Sequence, residues 1–288
     1  MSNQQTILIT GATGQQGGAV ARALRQSGFR LRGMTRKPES EHAHALERHG
    51  VEVVAGDLDD EASLRRALAG VWGVFGVQNT WEAGVEGEER QGKRLATLAR
   101  DVGVQHYVYT SVGSADQQTG IPHFDNKWRI EETVRSLGFP SHVILRPVFF
   151  MENLLAPFSL QGDTLAVGID PDTKLQMIAV EDIGWFGARA FTDAAALNGR
   201  AIDLAGDVRT MPEAARILGE ALGRPIAFVQ TPIAQVRQYS EDMALMLEWF
   251  ERVGYRVDIP ALEREFGRPL VKLPEWARRP AKASTTSS

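Results

Sequence analysis

Residues 6–18, Thr-Ile-Leu-Ile-Thr-Gly-Ala-Thr-Gly-Gln-Gln-Gly-Gly, constrain this chain more than any other stretch. Thr6 to Thr10 read as a short buried parallel strand. Gly11, Gly14 and Gly17 follow at G-x-x-G-x-x-G spacing, and Ala19 to Gln26 reads as a helix. A strand that turns through glycines into a helix aims unpaired backbone N–H groups at one spot, at the positive end of the helix dipole. Glycine lets a backbone approach a pyrophosphate and lets helix and strand pack closely. A tight turn with no ligand has the same glycines, but here strand, turn and helix stand in the order a dinucleotide cradle needs. Gly11, Thr13, Gly14, Gln15, Gln16 and Gly17 are therefore candidate cofactor contacts.

Phe29 to Thr35 reads as the second strand, with Arg36 and Lys37 at its end. An NAD-binding domain places an acid there, about 20 residues past the glycines, on the ribose 2′-hydroxyl. Here no carboxylate comes until Glu39. A guanidinium grips a 2′-phosphate as a bidentate fork, and a lysine adds a point charge. Two solvated loop cations would look the same in sequence. The reading adopted is NADP(H) in preference to NAD, with Arg36 and Lys37 as its contacts.

Strand and helix patterns then alternate, with helices at 41–49, 61–69, 86–101 and 126–137 and strands at 51–55, 71–77, 105–110 and 142–145. This rhythm predicts an α/β fold, a doubly wound parallel sheet with right-handed crossovers. Ligands in such sheets lie beyond the carboxyl ends of the strands. After the third strand, Asp57 either hydrogen-bonds an adenine amine or caps the next helix. After the fourth, Gln78 lines the cofactor crevice or makes a turn. After the fifth, Ser111 meets substrate or nicotinamide, or is a loop hydroxyl. After the sixth, Pro147 stops the strand, with Phe149 read as core and Phe150 as pocket.

Domain boundaries follow from the same pattern: a dinucleotide-binding domain at 1–150, a smaller α+β substrate or partner domain at 151–279, and a small, polar, disordered tail at 280–288. The second part carries strands at 174–179 and 201–204 and helices at 181–191, 212–222 and 240–253. Asp182 caps or anchors the first of these helices. The last has an apolar stripe that reads as core or lid, with a partner surface as the alternative.

Bulk properties narrow the classes. With 43% hydrophobic and 24% charged residues in 288, the chain is ordinary globular protein. A net charge of −4 and the lack of a lysine/arginine-dense face argue against direct nucleic-acid binding. The absence of cysteine removes disulfides and thiolate metal sites, and no metal site is expected. Met1 to Gln5 is polar without a signal-peptide core, and no apolar run approaches the ~20 residues of a membrane helix. A soluble, cytoplasmic protein of open oligomeric state is the expectation.

His123 and Lys127 are four apart and share a helical face. With these residues the chain resembles the short-chain dehydrogenase superfamily, in its atypical NmrA-like branch. The matching features are the Gly11-x-x-Gly14-x-x-Gly17 turn, Arg36, Asp57-Leu58, His123-x-x-x-Lys127 with Trp128 and Glu131, Leu145-Arg146-Pro147 to Asn153, and Val180-Glu181-Asp182-Ile183-Gly184. They span residues 6 to about 184, and the run from Arg146 to Asn153 is the most family-specific. The resemblance implies a Rossmann-type fold with NADP(H), and it adds Leu58, Pro147, Phe150 and Lys127 to the cofactor contacts.

It also shows a departure. Classical members use Tyr-x-x-x-Lys, in which lysine lowers the tyrosine pKa for proton donation to a carbonyl. Here His123 stands where the tyrosine belongs. An imidazole titrates near ~6.5, so it is an acid–base group in principle, but a poorer proton source for a ketone than an activated phenol. Lys127 keeps a role as donor to the nicotinamide ribose. Glu131, four residues on, is expected to hold Lys127 as an ammonium. Two readings follow. The preferred one is a dinucleotide sensor acting through a protein partner; the alternative is an NADPH-dependent reductase, quinone- or isoflavone-reductase-like, that uses Lys127 on a small carbonyl or quinone substrate.

Overall fold

The computed structural model describes residues 5–279. They form two compact units: the first takes residues up to Asp116, Pro122–Arg146 and Ile183–Ile202, and the second takes Gln117–Ile121, Pro147–Asp182 and the residues from Asp203 on. The sequence reading draws one boundary after residue 150. The tail expected at 280–288 lies outside the described residues.

In chain order the elements are β1 (Thr6–Ile9), α1 (Gln15–Leu24), β2 (Arg30–Thr35), α2 (Glu41–Arg48), β3 (Glu52–Ala55), α3 (Glu61–Leu68), β4 (Gly73–Gly76) and α4 (Thr80–Asp101). Next come β5 (His106–Thr110), α5 (Pro122–Ser136), β6 (Ser141–Pro147), β7 (Phe149–Phe150), β8 (Leu160–Gln161), β9 (Thr164–Val167) and β10 (Leu175–Ile178). The chain ends with α6 (Val180–Thr192), α7 (Ala194–Leu197), β11 (Ala201–Leu204), β12 (Asp207–Arg209), α8 (Met211–Leu222), β13 (Ala227–Gln230), α9 (Ile233–Tyr239), α10 (Glu241–Arg252), α11 (Ile259–Phe266) and α12 (Leu273–Ala277).

A seven-stranded sheet in the order β11-β6-β5-β4-β1-β2-β3 organises the first unit. Pairings from β3 through β6 are all parallel. The order reverses between β1 and β4, the switch point at which such sheets open a crevice. Alternate strand residues feed two cores, because successive side chains leave a strand on opposite faces. On one face Leu8, Val74, Tyr107, Tyr109 and Ile144 join Leu64, Leu95, Ile130 and Val134, so α3, α4 and α5 cover it. On the other, a Cβ at Gly187 of α6 would lie 2.5 Å from Val20 of α1 and 3.5 Å from Phe75 of β4. Helices therefore cover both faces, and the fold is a Rossmann-like doubly wound α/β sheet.

Helix starts follow local chemistry. Ser40, Asp60 and Asn79 accept hydrogen bonds from Ala43, Ala62 and Trp81 N–H groups and cap α2, α3 and α4. The Asn79 cap starts α4 six residues before the sequence expectation. Gly84, at φ 73° and ψ 168°, then breaks that helix, so Thr80–Ala83 forms a separate turn ahead of the long stretch.

The second unit carries two three-stranded sheets, β12-β10-β7 and β13-β9-β8. Helix α8 begins with a Thr210–Glu213 capping box and stops at Gly223 with φ 67°. In α10, Leu247, Trp249 and Phe250 of the apolar stripe are buried together with Ala244, while Met243, Leu245 and Met246 are half-buried. Asp182 does not cap its helix: it accepts hydrogen bonds from Val271 N–H at 2.9 Å and Arg268 at 3.2 Å and so anchors the C-terminal segment. Burial raises its pKa to about 6, against the pull of those two donors. Among the described residues, no helix is long and apolar enough to cross a membrane.

Candidate functional site

The cradle forms where β1 enters α1. The helix begins at Gln15, four residues earlier than the sequence suggests, so Gln15 and Gln16 occupy its first turn and Gly14 is its N-cap. No side chain caps it, and Gly11, Gly14 and Gln15 are exposed. The three glycines do different work. Gly11 takes φ +56°, and its carbonyl accepts the Gly14 N–H at 2.9 Å. A Cβ on Gly17 would lie 2.6 Å from the Thr10 carbonyl oxygen, so helix and strand approach only because that Cβ is missing. Gly14 has an ordinary φ of −95° and a hypothetical Cβ 3.3 Å from the Gly11 oxygen, so neither backbone nor packing strictly demands glycine there. Open N–H groups at a helix dipole's positive end, with no side-chain cap, fit a pyrophosphate.

Long-range hydrogen bonds tie the strand ends together at the switch point. The Thr10 hydroxyl donates to the Val77 carbonyl at 2.9 Å and accepts its N–H at 2.8 Å, joining β1 to the loop after β4. The Thr110 hydroxyl donates to Gln16 Oε1 at 2.7 Å, joining the end of β5 to the first turn of α1. Beside these ties, both amide atoms of Gln78 and the Ser111 hydroxyl are buried with no partner among the described residues. A buried polar group without a partner costs about 1–3 kcal/mol, so such groups mark places built to meet something. Gln78 follows β4 and Ser111 follows β5.

Other candidates resolve differently. Asp57 is not the helix cap; Asp60 is, and the Asp57 carboxylate accepts the Asp59 N–H at 2.9 Å within its own turn. Leu58 packs half-buried against the core. Lys37 follows β2, its N–H donating to the Thr35 hydroxyl. Arg36 is exposed, and its guanidinium donates to Glu82 of α4 at 2.5 Å. Pro147 ends β6 and is buried, whereas Phe150 lies half-buried in β7 of the second unit.

His123 and Lys127 both lie on α5, which begins at Pro122, so they share a face as expected. The buried His123 ring contacts Phe124 at 4.8 Å and Trp81 at 5.5 Å between centroids. The expected partner of Lys127 is wrong. Glu131 instead holds Arg146, at 2.9 and 2.7 Å, and Arg135 at 2.7 Å. The carboxylate on Lys127 is Glu88 of α4, which is fully buried. Glu88 also accepts hydrogen bonds from the Thr80 hydroxyl and, at 3.0 Å, from Asn126 Nδ2. Burial pushes the Glu88 carboxyl up, but the Lys127 charge and these donors outweigh it and leave the group below its ordinary value. Tyr107 and Tyr109 on β5 offer no activated phenol, because burial pushes both up and the Glu88 and Glu131 charges add to this at Tyr109.

Sequence reasoning missed Glu88, Thr80, Asn126 and Glu82. Glu88 sits in the run Glu86-Gly-Glu88-Glu89-Arg90, which reads as a solvated helix face. Only the crossing of α4 and α5 shows which of these acids turns inward. That crossing is close: a Cβ on Gly92 would meet Ile130 at 2.6 Å.

The model of the NmrA-like family matches residues 3–279. The chain belongs to the NmrA-like family. It is 30% identical over 290 residues to a (4-alkanoyl-5-oxo-2,5-dihydrofuran-3-yl)methyl phosphate reductase of Streptomyces griseus subsp. griseus, covering 96% of this chain and 98% of that one. The NADPH-dependent quinone oxidoreductase QOR2 of Escherichia coli, solved with NADPH, is 26% identical with a TM-score of 0.79, covering 94% of this chain and 98% of that one. NmrA, a negative transcriptional regulator solved with NADP, shares the fold at 21% identity and a TM-score of 0.79, covering 96% and 95%. The family thus holds both a regulator and reductases.

Proposed function

We propose that this protein binds NADP(H) at the β1–α1 cradle and reduces a small conjugated acceptor, a quinone or an α,β-unsaturated carbonyl compound. The observation that carries the reading is the Glu88–Lys127 pair. Lys127 is held in contact with a buried carboxylate, so its role is that of a fixed ammonium that donates hydrogen bonds, not of a proton reservoir. With His123 in the tyrosine's place, the site has no strong acid to protonate a simple ketone. Conjugated acceptors do not need one, since hydride addition leaves a delocalised oxyanion that water protonates. NADPH supplies that hydride when bound.

The cradle N–H groups and Gly14 take the pyrophosphate, Arg36 and Lys37 the 2′-phosphate, and Lys127 the nicotinamide ribose. Gln78 and Ser111 orient the nicotinamide end with buried atoms that have no partner among the described residues. The chain-long likeness to a reductase of an unsaturated furanone, and the likeness to a quinone oxidoreductase, support the same reaction class. A regulatory reading, in which the dinucleotide orders loops for a protein partner, is supported by the missing tyrosine and by the fold shared with NmrA.

The test is NADPH oxidation, followed by nicotinamide absorbance, against quinones, enones, aldehydes and ketones, alongside direct NADPH titration. Turnover on conjugated acceptors and none on simple ketones is the expected outcome. Tight NADPH binding with no turnover on any acceptor would favour the regulator. Loss of turnover in Lys127→Ala at saturating NADPH, with the rate-limiting proton traced to the lysine by its pH profile, would refute the fixed-ammonium role.

A further inference from the structure

The sequence places no acid at the end of β2, where an NAD-binding domain keeps one, yet the fold brings one there. Glu82, in the first turn of α4, holds the Arg36 guanidinium with one carboxylate oxygen and accepts Asn79 Nδ2 at 3.1 Å with the other. Asn79 is itself fixed, because its carbonyl oxygen caps α4 on the Trp81 N–H at 3.1 Å. Glu82 is therefore held at this spot by more than Arg36.

We infer that Glu82 sets the cofactor preference of this site by competing with the 2′-phosphate for Arg36. This inference rests on the dinucleotide reading above. A 2′-phosphate brings up to two negative charges to a guanidinium already engaged by a carboxylate, so the two anions repel across a shared cation. A 2′-hydroxyl brings no charge, and a carboxylate can accept its proton, the contact that NAD-binding domains make with an acid of their own. Arg36 favours NADP(H), Glu82 favours NAD(H), and their pairing leaves a site that takes both with a muted preference. Both side chains are more than half exposed, so solvent screens the competition and the effect is modest.

The geometry separates this from a site in which Arg36 acts alone. If Arg36 alone discriminated, Arg36→Ala would bring NADPH and NADH to parity. With Glu82 still held by Asn79, Arg36→Ala should instead invert the preference, leaving NADH bound tighter by about three- to tenfold, the range open to screened charges. Glu82→Gln should tighten NADPH by a similar factor, roughly three- to tenfold, and leave NADH unchanged or weaker. The double variant should fall between the two single variants, keeping only the NADP(H) preference that Lys37 supplies.

The experiment is a set of fluorescence or calorimetric titrations of NADPH and NADH into the parent, Glu82→Gln, Arg36→Ala and the double variant, at low and high salt. Glu82→Ala serves as a second removal of the same charge. The inference requires a Glu82→Gln gain for NADPH that shrinks as salt rises. If Glu82→Gln and Glu82→Ala leave the NADPH:NADH ratio at the parent value while Arg36→Ala brings it to parity, Glu82 plays no part and the dinucleotide reading stands without it. If the parent binds neither dinucleotide, the reading and the inference fall together.

Discussion

Replacing Glu88 by glutamine tests the pair on which the chemical reading rests. Glu88 is fully buried, and the Lys127 side chain is only 14% exposed, so little water is available to solvate either charge if its partner goes. Removing one member of a buried pair costs about 3–5 kcal/mol, because an uncompensated charge stays behind. The introduced glutamine keeps one oxygen that Lys127 can still use, but its amide meets the Asn126 amide, now donor against donor. That places Glu88→Gln near ~3 kcal/mol, or about 6–12 °C in Tm at ~2–4 °C per kcal/mol. Lys127→Met should cost as much from the other side. The double variant should be milder than the sum by about 2 kcal/mol or more, since the two residues share one interaction. Chemical denaturation followed by circular dichroism gives the four free energies. The sign with pH is fixed as well. Glu88 is held below its ordinary value of 4.5, so its stabilisation is present above that pH and fades as the pH falls below it. The gap between parent and Glu88→Gln should close in acid. A Glu88→Gln cost below about 1 kcal/mol at neutral pH, or strictly additive single variants, would show that the ammonium is not pinned, and the fixed-donor role of Lys127 would fail with it.

Two further outcomes follow from the first unit. His106 is buried with its Nδ1 2.8 Å from Ser141 Oγ and its ring against Trp72 and Phe191, and burial lowers its pKa to about 4. Its neutral form is stabilising above pH 6.5, and this is lost as the pH falls towards 4, so the parent should lose about 2 kcal/mol between pH 7 and 5 while His106→Gln shows a flatter profile in urea unfolding. Gly17→Ala should cost about 1–3 kcal/mol by forcing strand and helix apart, whereas Gly14→Ala should fold with near-parental stability and lose NADPH affinity by about tenfold or more. Normal NADPH binding by Gly14→Ala would place the cradle elsewhere.

Much of this fold is legible because local and global signals agree. The apolar runs Ile7-Leu8-Ile9 and Val74-Phe75 are buried on both faces, and only a parallel sheet covered by helices demands that. Element edges are less legible where a single side chain decides them. Asn79 pulls α4 forward by six residues, and the uncapped Gly14 lets α1 start at Gln15. The short strands β7, β8, β12 and β13 have two to four residues each, too few for alternation to register in sequence.

The site divides along the same line. The positions of Gly11, Gly14, Gly17, Arg36 and Ser111 in the fold are readable because each follows a strand, and strand ends are local facts. Glu82 and Glu88 are not, because what makes them matter is the position of α4 against β2 and α5. Their sequence context, Trp81-Glu82-Ala83-Gly84-Val85-Glu86-Gly87-Glu88-Glu89, is one acidic run. The positive-φ break at Gly84 gives these two acids separate roles: Glu82 lies on the turn before it and reaches Arg36, while Glu88 lies beyond it and reaches Lys127. The sequence reading starts this helix at Glu86, so it leaves Glu82 outside the helix and does not say which face Glu88 takes. The broken helix presents one acid to Arg36 and another to Lys127. The acid absent from the end of β2, and the acid misassigned to Glu131, are both supplied by α4.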